Sequence, residues 1–262
     1  MRYTVIGGTL LAVSLSIMAG SVAFGQQDAE EEEFEQSEEG TEKIGAVFNP
    51  ADINRDTGLE LFRAPGPNGK SCASCHGDNG KDLIGAATHY PKVISREEGV
   101  RNMELQINIC RTQRMDAKPY EGSAPPFTEM RDMLVFVNSL SNGMPINVKT
   151  DGIAHEFWEK GKQYFWTRRG QRNLSCGNCH AMNGNRRLGP VRLHISRDQA
   201  TKFPVYTMAT ETVETQQFRF QTCSWDVRAK ALDINGPTLL SLELYHTSLS
   251  NGMPFRVPGF SL

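Results

Sequence analysis

No stretch of this 262-residue chain alternates apolar and polar residues for long enough to mark a half-buried strand, which argues against a sheet-based fold. Hydrophobic residues are scarce, at 39%, so two domains built at that level would have thin cores unless an apolar group other than side chains filled them. Charge of one sign is scarce too. The formal net charge is −2, and the cations are spread too evenly to form a nucleic-acid surface.

Long hydrophobic runs are missing beyond the first residues. That one run, MRYTVIGGTLLAVSLSIMAGSVAFGQQ, is diluted by Gly, Ser and Thr, which argues against a stable membrane anchor. It carries one cation at Arg2 and small residues Ala23 and Gly25 placed for cleavage. Residues 1–25 therefore read as a signal peptide, and export to an oxidising compartment, the periplasm, follows. Residues 26–45 read as an acidic disordered segment: the tract from Asp28 to Glu42 holds a single aromatic and cannot bury enough surface to fold. Its acids mask a mildly basic remainder, a balance that suits anionic substrates or acidic partners.

What is present is a duplication. SLSNGMP occurs at Ser139–Pro145 and again at Ser248–Pro254, and GLELFRAPGPNGKSCASCH aligns with GKQYFWTRRGQRNLSCGNCH. The six cysteines divide three to a half: Cys72, Cys75 and Cys110, then Cys176, Cys179 and Cys223. SCASCHG and SCGNCHA both fit C-x-x-C-H, the pattern of covalent haem c attachment. Two thiols one helical turn apart can add to the two vinyl groups of one porphyrin while the next residue ligates the iron. Cys72, Cys75, Cys176 and Cys179 are thus expected to hold two haem c groups, with His76 and His180 as proximal ligands. A zinc site would need both pairs to converge from separate halves, and it leaves the histidines unexplained.

The pattern predicts an all-α fold of two tandem class I cytochrome c-like domains, 46–148 and 149–262, each around one haem. Residues 51–62 open the first as an amphipathic helix. SREEGVRNMELQINIC reads as a helix that starts on a capping box, Ser95 to Glu98, and carries Cys110, and TEMRDMLVFVNSLSNG closes the domain. The counterparts are residues 151–166, a helix around 212–223, and PTLLSLELYHTSLSNG with Pro237 at its first position. Asn142-Gly143 and Asn251-Gly252 read as helix C-caps, with glycine left-handed and Pro145 or Pro254 forbidding continuation.

Cys110 and Cys223 have three readings: a disulfide, inert buried thiols, or a distal thiolate ligand in each half. Met144 and Met253 compete for the ligand role, since a loop methionine is the distal ligand in many small cytochromes c. The repeat favours equivalent roles for the two cysteines. Arg219 precedes Cys223 by four residues, on the same helical face, where a guanidinium could stabilise a thiolate and bind an oxyanion; Arg228 and Lys230 add to this cationic setting. Gln106 takes the corresponding place before Cys110, with Arg114 four residues after it. The other histidines, His89, His155, His194 and His246, read as surface or packing residues.

These residues resemble the SoxA family, dihaem cytochromes of bacterial thiosulfate oxidation. The resemblance covers nearly everything after the acidic tract and is most specific where Arg219, Cys223, VRA, LELY and the second NGMP follow one another. It implies that Cys223 is both the distal ligand of the second haem and the catalytic cysteine, passing through a persulfide. Arg219 then binds substrate, Cys110 is the distal ligand of the first haem, and Met144 and Met253 are not ligands. Ala231, where proline is usual, and NGPT at Asn235–Thr238 depart from the family pattern near the site entrance.

The implied reaction couples thiosulfate oxidatively to a cysteine of the carrier protein SoxYZ, an L-cysteine S-thiosulfotransferase activity. A monohaem partner, SoxX, would take the second electron, and a cytochrome c would be the final acceptor. The competing readings are a plain electron-transfer dihaem cytochrome with methionine ligands, a dihaem peroxidase, and a haem-binding scaffold.

Overall fold

The computed structural model describes residues 48–122, 128–189 and 191–261, so the expected signal peptide and acidic segment lie outside the described residues. Its helices are α1 (Asp52–Arg63), α2 (Cys72–His76), α3 (Met103–Arg114), α4 (Glu129–Ser139), α5 (Ile153–Trp166), α6 (Cys176–His180), α7 (Ser196–Gln199), α8 (Gln216–Asp226) and α9 (Pro237–Ser248). None is long and apolar enough to cross a membrane.

In each half a glycine lets the first helix lie directly on the last. The run MLVFV makes α4 apolar nearly all round, so it is buried from Met130 to Val137, and each large side chain taken from water contributes about 1.5–3 kcal/mol. Helix α1 crosses it at Gly58, where a Cβ would overlap the Asp132 carbonyl oxygen, and the rings of Phe62 and Phe136 pack 5.1 Å apart. Helices α5 and α9 repeat this crossing at Gly161 beneath the Ser241 carbonyl, with Phe165 and Tyr245 5.3 Å apart. The principal hydrophobic cluster runs through both halves, from Phe62, Met133 and Phe136 to Leu240, Leu244 and Phe255. Ile146 and Val148, near the expected junction, are buried in that cluster.

An all-α fold is too simple. Strands β1 (Lys92–Ser95) and β2 (Gly99–Arg101) form an antiparallel hairpin ahead of α3. Two-residue strands β3 (Arg187–Leu188) and β4 (Val191–Arg192) pair, and β5 (Val205–Thr207) lies between antiparallel β6 (Thr212–Glu214) and parallel β7 (Gly259–Ser261). These strands are too short to display an alternating pattern, which is why the sequence hid them.

The capping box expected at Ser95 serves a turn. Ser95 Oγ does accept from the Glu98 N–H, at 3.1 Å, but the chain then passes through Gly99 at φ 75° and returns as β2. Helix α3 starts at Met103 instead, capped by Asn102, whose side chain accepts from the Leu105 N–H. Helix α8 is built the same way: it follows β6, and Thr215 caps it through the Phe218 N–H. Each cap stands eight residues before the third cysteine of its half.

The duplicated loops also differ from expectation. Gly143 and Gly252 are left-handed, at φ 79° and 85°, but the helices end earlier, at Ser139 and Ser248. The loops pair with each other. The N–H groups of Gly143 and Phe255 donate to the carbonyls of Phe255 and Met144, and those of Ile146 and Gly252 to the carbonyls of Met253 and Ile146. Asn142 exchanges side-chain hydrogen bonds with the Val257 backbone, and Asn251 with the Val148 backbone. The identical sequences are the two sides of one internal, nearly symmetric contact.

Candidate active site

Both C-x-x-C-H motifs form one-turn helices held by reciprocal caps. Ser71 Oγ accepts from the Ser74 N–H while the Ser74 hydroxyl accepts from the Ser71 N–H; Ser175 and Asn178 repeat the arrangement before Cys176. This presents two thiols and a histidine from a rigid turn. No disulfide joins any two of the six cysteines, so the disulfide reading of Cys110 and Cys223 is not realised.

The third cysteine of each half faces its own motif. Burial first, and then Cys110, push the Cys72 thiol up, while Arg111 pulls it down. Cys223 lies on α8 with Cys176 and Cys179 close enough to act on it: burial, then Cys176, raise its thiol to about 12, and Arg219 opposes them. A thiolate at such a position needs a further positive charge, and a coordinated iron would supply one. Arg228 and Lys230 are exposed beyond the end of α8, so the cationic environment of Cys223 comes chiefly from Arg219 and not from the trio the sequence suggested.

Apolar space accompanies each motif. A cleft of about 350 Å³ lined by Leu61, Pro67, Met115 and Tyr120 adjoins Cys72, whose Sγ is 3.9 Å from the Met115 sulfur. A cleft of about 430 Å³ on the side of the second motif is lined by Phe157, Tyr164, Arg169 and Leu240 of the second half together with Glu98 and Val100 of the first, and the Arg169 guanidinium lies 3.7 Å from Cys176 Sγ. Paired thiols, a following histidine, a facing thiol and an adjoining apolar cleft fit a covalently held haem.

His180 is set as a ligand should be. Its Nδ1 donates to the His194 carbonyl at 2.7 Å, leaving Nε2 with a lone pair, and burial holds the ring below the ordinary histidine range.

Arg219 projects from the first turns of α8. Its Nη2 donates to the Thr207 hydroxyl at 3.0 Å and pairs with the buried Glu214 carboxylate at 2.8 Å, while its Nε is buried with no hydrogen-bond partner. Thr210 donates to the other Glu214 oxygen at 2.9 Å. Arg131 of α4 reaches the same strand and donates to the Val213 carbonyl at 3.0 Å. The result is a guanidinium about one-third exposed and oriented by one carboxylate, with an unused donor.

Sequence reading missed Glu214 and Thr207, which lie on short strands. It also missed a polar cluster joining the halves, in which Asn102 donates to Asn235 and Glu243, and Asn235 donates to Glu104. Asn235 had stood out only as a departure from a pattern. The backbone carbonyls of Met144 and Met253 are committed to the paired loops.

The family model for the SoxA/TsdA cytochrome c domain matches residues 57–146 and 160–255. The L-cysteine S-thiosulfotransferase subunit SoxA of Paracoccus pantotrophus is 36% identical over 206 residues, covering 78% of this chain and 69% of that protein. Its counterpart from Rhodovulum sulfidophilum is 35% identical over 196 residues, covering 75% and 67%. A crystal structure of SoxXA from P. pantotrophus superposes with a TM-score of 0.78 at 33% identity, covering 86% of this chain and 84% of that one. The chain belongs to the SoxA branch of the SoxA/TsdA cytochrome c family.

Proposed function

We propose that this chain is a periplasmic L-cysteine S-thiosulfotransferase subunit carrying two haem c groups, one in each of its halves, 46–148 and 149–262. Cys72 and Cys75 hold the first haem, with His76 and Cys110 as axial ligands; Cys176 and Cys179 hold the second, with His180 and Cys223. Cys223 is the catalytic cysteine and Arg219 binds the substrate. The observation that carries this reading is the placement of Arg219 one turn before Cys223, with a buried Nε donor left unused.

The Arg219 guanidinium binds the sulfonate end of thiosulfate, a charge-assisted contact to which the unused Nε contributes. Glu214 and Thr207 fix the guanidinium so that the outer sulfur of thiosulfate is directed along α8 at Cys223 Sγ. With Cys223 as a persulfide, its terminal sulfur bonds the outer sulfur of thiosulfate as two electrons leave, and the SoxYZ thiolate then attacks that thiosulfate sulfur and displaces the Cys223 persulfide intact. In the overall reaction a cysteine thiol of the carrier protein SoxYZ loses its proton, one sulfur–sulfur bond to thiosulfate forms, and two electrons leave. Haem, when bound, supplies a one-electron acceptor and a metal charge that keeps Cys223 ionised. The second electron requires another carrier, the monohaem partner SoxX, and both electrons pass on to a cytochrome c.

The test is thiosulfate- and SoxYZ-dependent reduction of cytochrome c by the haem-loaded chain with SoxX. Arg219→Ala removes a charged hydrogen bond of about 1.5–3 kcal/mol, so kcat/KM is expected to fall by about 10- to 100-fold, and Cys223→Ala to abolish turnover. Wild-type turnover retained by both variants would leave a plain electron-transfer cytochrome.

A further inference from the structure

His246 is buried at 4% exposure on α9, and every polar atom of its ring is engaged. The Gln216 amide nitrogen, which can only donate, lies 2.9 Å from Nδ1. Nδ1 therefore accepts and Nε2 carries the proton, which it donates to Gln199 Oε1 at 3.2 Å. The Gln199 amide nitrogen sits 3.4 Å from His180 Nδ1 and 3.5 Å from the His194 carbonyl oxygen. With Nδ1 of His180 already donating to that carbonyl, the carbonyl is the atom to which the Gln199 amide can donate. The donors thus run in one direction: Gln216 to His246, His246 to Gln199, and Gln199 to the oxygen that holds His180.

The duplication supplies an internal comparison. In the first half Met103 stands where α8 has Gln216, and Val137 stands where α9 has His246, and both are buried. Apolar side chains fill these positions well, so filling a core does not explain a buried glutamine and histidine. Burial, and then His180, hold His246 near 3, which keeps its ring neutral. Its other neighbour is Phe220 of α8, edge-on at 5.6 Å. Gln216 and Phe220 lie on the helix that carries Arg219 and Cys223.

We infer that Gln199 and His246 are positioning residues for the axial ligand His180, orienting its ring and setting the reduction potential of the second haem alone. A second donor on the His194 carbonyl weakens it as an acceptor for the His180 Nδ1 proton, which limits the anionic character of the imidazole and raises the potential. Through Gln216 the same chain ties this ligand to α8, the helix that carries Cys223. The inference rests on the proposed ligation of the second haem by His180.

The experiment is a potentiometric titration of the full-length, exported, haem-loaded chain, with EPR of the oxidised form. His246→Val copies the first half, and Gln199→Met cuts the chain while leaving His246 and its bond from Gln216 in place, so it reports even where the valine variant fails to mature. Each is expected to move one haem to a more negative potential and to alter its low-spin signal, leaving the other haem unchanged. His246→Gln, which can still accept from Gln216 and donate to Gln199, is expected to restore most of the shift. Wild-type potentials and signals in Gln199→Met overturn the inference. His180→Ala separates the two claims: two intact low-spin signals in it would remove the ligand assignment, whereas loss of one signal with unmoved potentials in Gln199→Met removes only the positioning role.

Discussion

Arg219 and Glu214 form an ion pair 2.8 Å long in which the carboxylate is buried and the guanidinium is one-third exposed, so orientation and partial neutralisation of the candidate substrate cation come from a single strand residue. Glu214→Gln keeps the shape and removes the charge. Breaking a pair of this kind leaves a poorly compensated cation, and partial exposure screens the cost to about 1–3 kcal/mol. Chemical denaturation of the haem-loaded variant is expected to show that loss, together with a lowered kcat/KM for thiosulfate.

Gly161 is the tightest point of the second half. Its absent Cβ is what allows α5 to reach the Ser241 carbonyl, and a backbone oxygen cannot rotate away as a side chain does. Gly161→Ala is expected to separate α5 from α9 at a cost of about 1–3 kcal/mol or more. The check is the denaturation midpoint, with Gly58→Ala expected to behave alike in the first half.

The paired loops make a further demand. Asn251 accepts from the Val148 N–H at 2.9 Å and donates to the Val148 carbonyl at 3.0 Å. Asn251→Ala would leave both backbone groups of a buried valine without these partners, a loss of about 1–3 kcal/mol. Asn142→Ala is expected to cost a similar amount through Val257, and comparing the two variants by thermal melting tests whether the contact is as symmetric in energy as in geometry.

Glu243 makes stability depend on pH. Burial raises its carboxyl from 4.5 to about 7, against the hydrogen bonds from Gln217 and Asn102, with Glu104 as the neighbouring acid that adds to the rise. The folded chain therefore binds this proton more tightly than the unfolded chain. The stabilisation is fully present below about pH 4.5 and is lost as pH rises to about 7, a change on the order of 1–3 kcal/mol. Glu243→Gln is expected to abolish this part of the pH dependence in denaturation series across that window.

The haem motifs, the duplication, the candidate Arg219–Cys223 pair and most helices were legible because each is written in adjacent residues or in residues one turn apart. The hairpins were not, because strands of two to four residues carry no period, and the Ser95–Glu98 pattern suits a turn before a left-handed Gly99 as well as a helix start. The Asn-Gly pairs were recognised as needing left-handed glycine, but their partners lie more than a hundred residues away. Separation along the chain also hid the links of Asn102 to Glu243, 141 residues apart, and of Gln199 to His246, 47 apart, which the fold alone brings together.

The most direct test of the role assigned to Cys223 is low-temperature EPR of the oxidised, haem-loaded chain, comparing wild type with Cys110→Met and Cys223→Met. Two thiolate-type low-spin signals are expected in the wild type, with a different one lost in each variant, and thiosulfate turnover lost only with Cys223. Methionine-type signals unaffected by either substitution would contradict thiolate ligation and, with it, sulfur chemistry at the second haem.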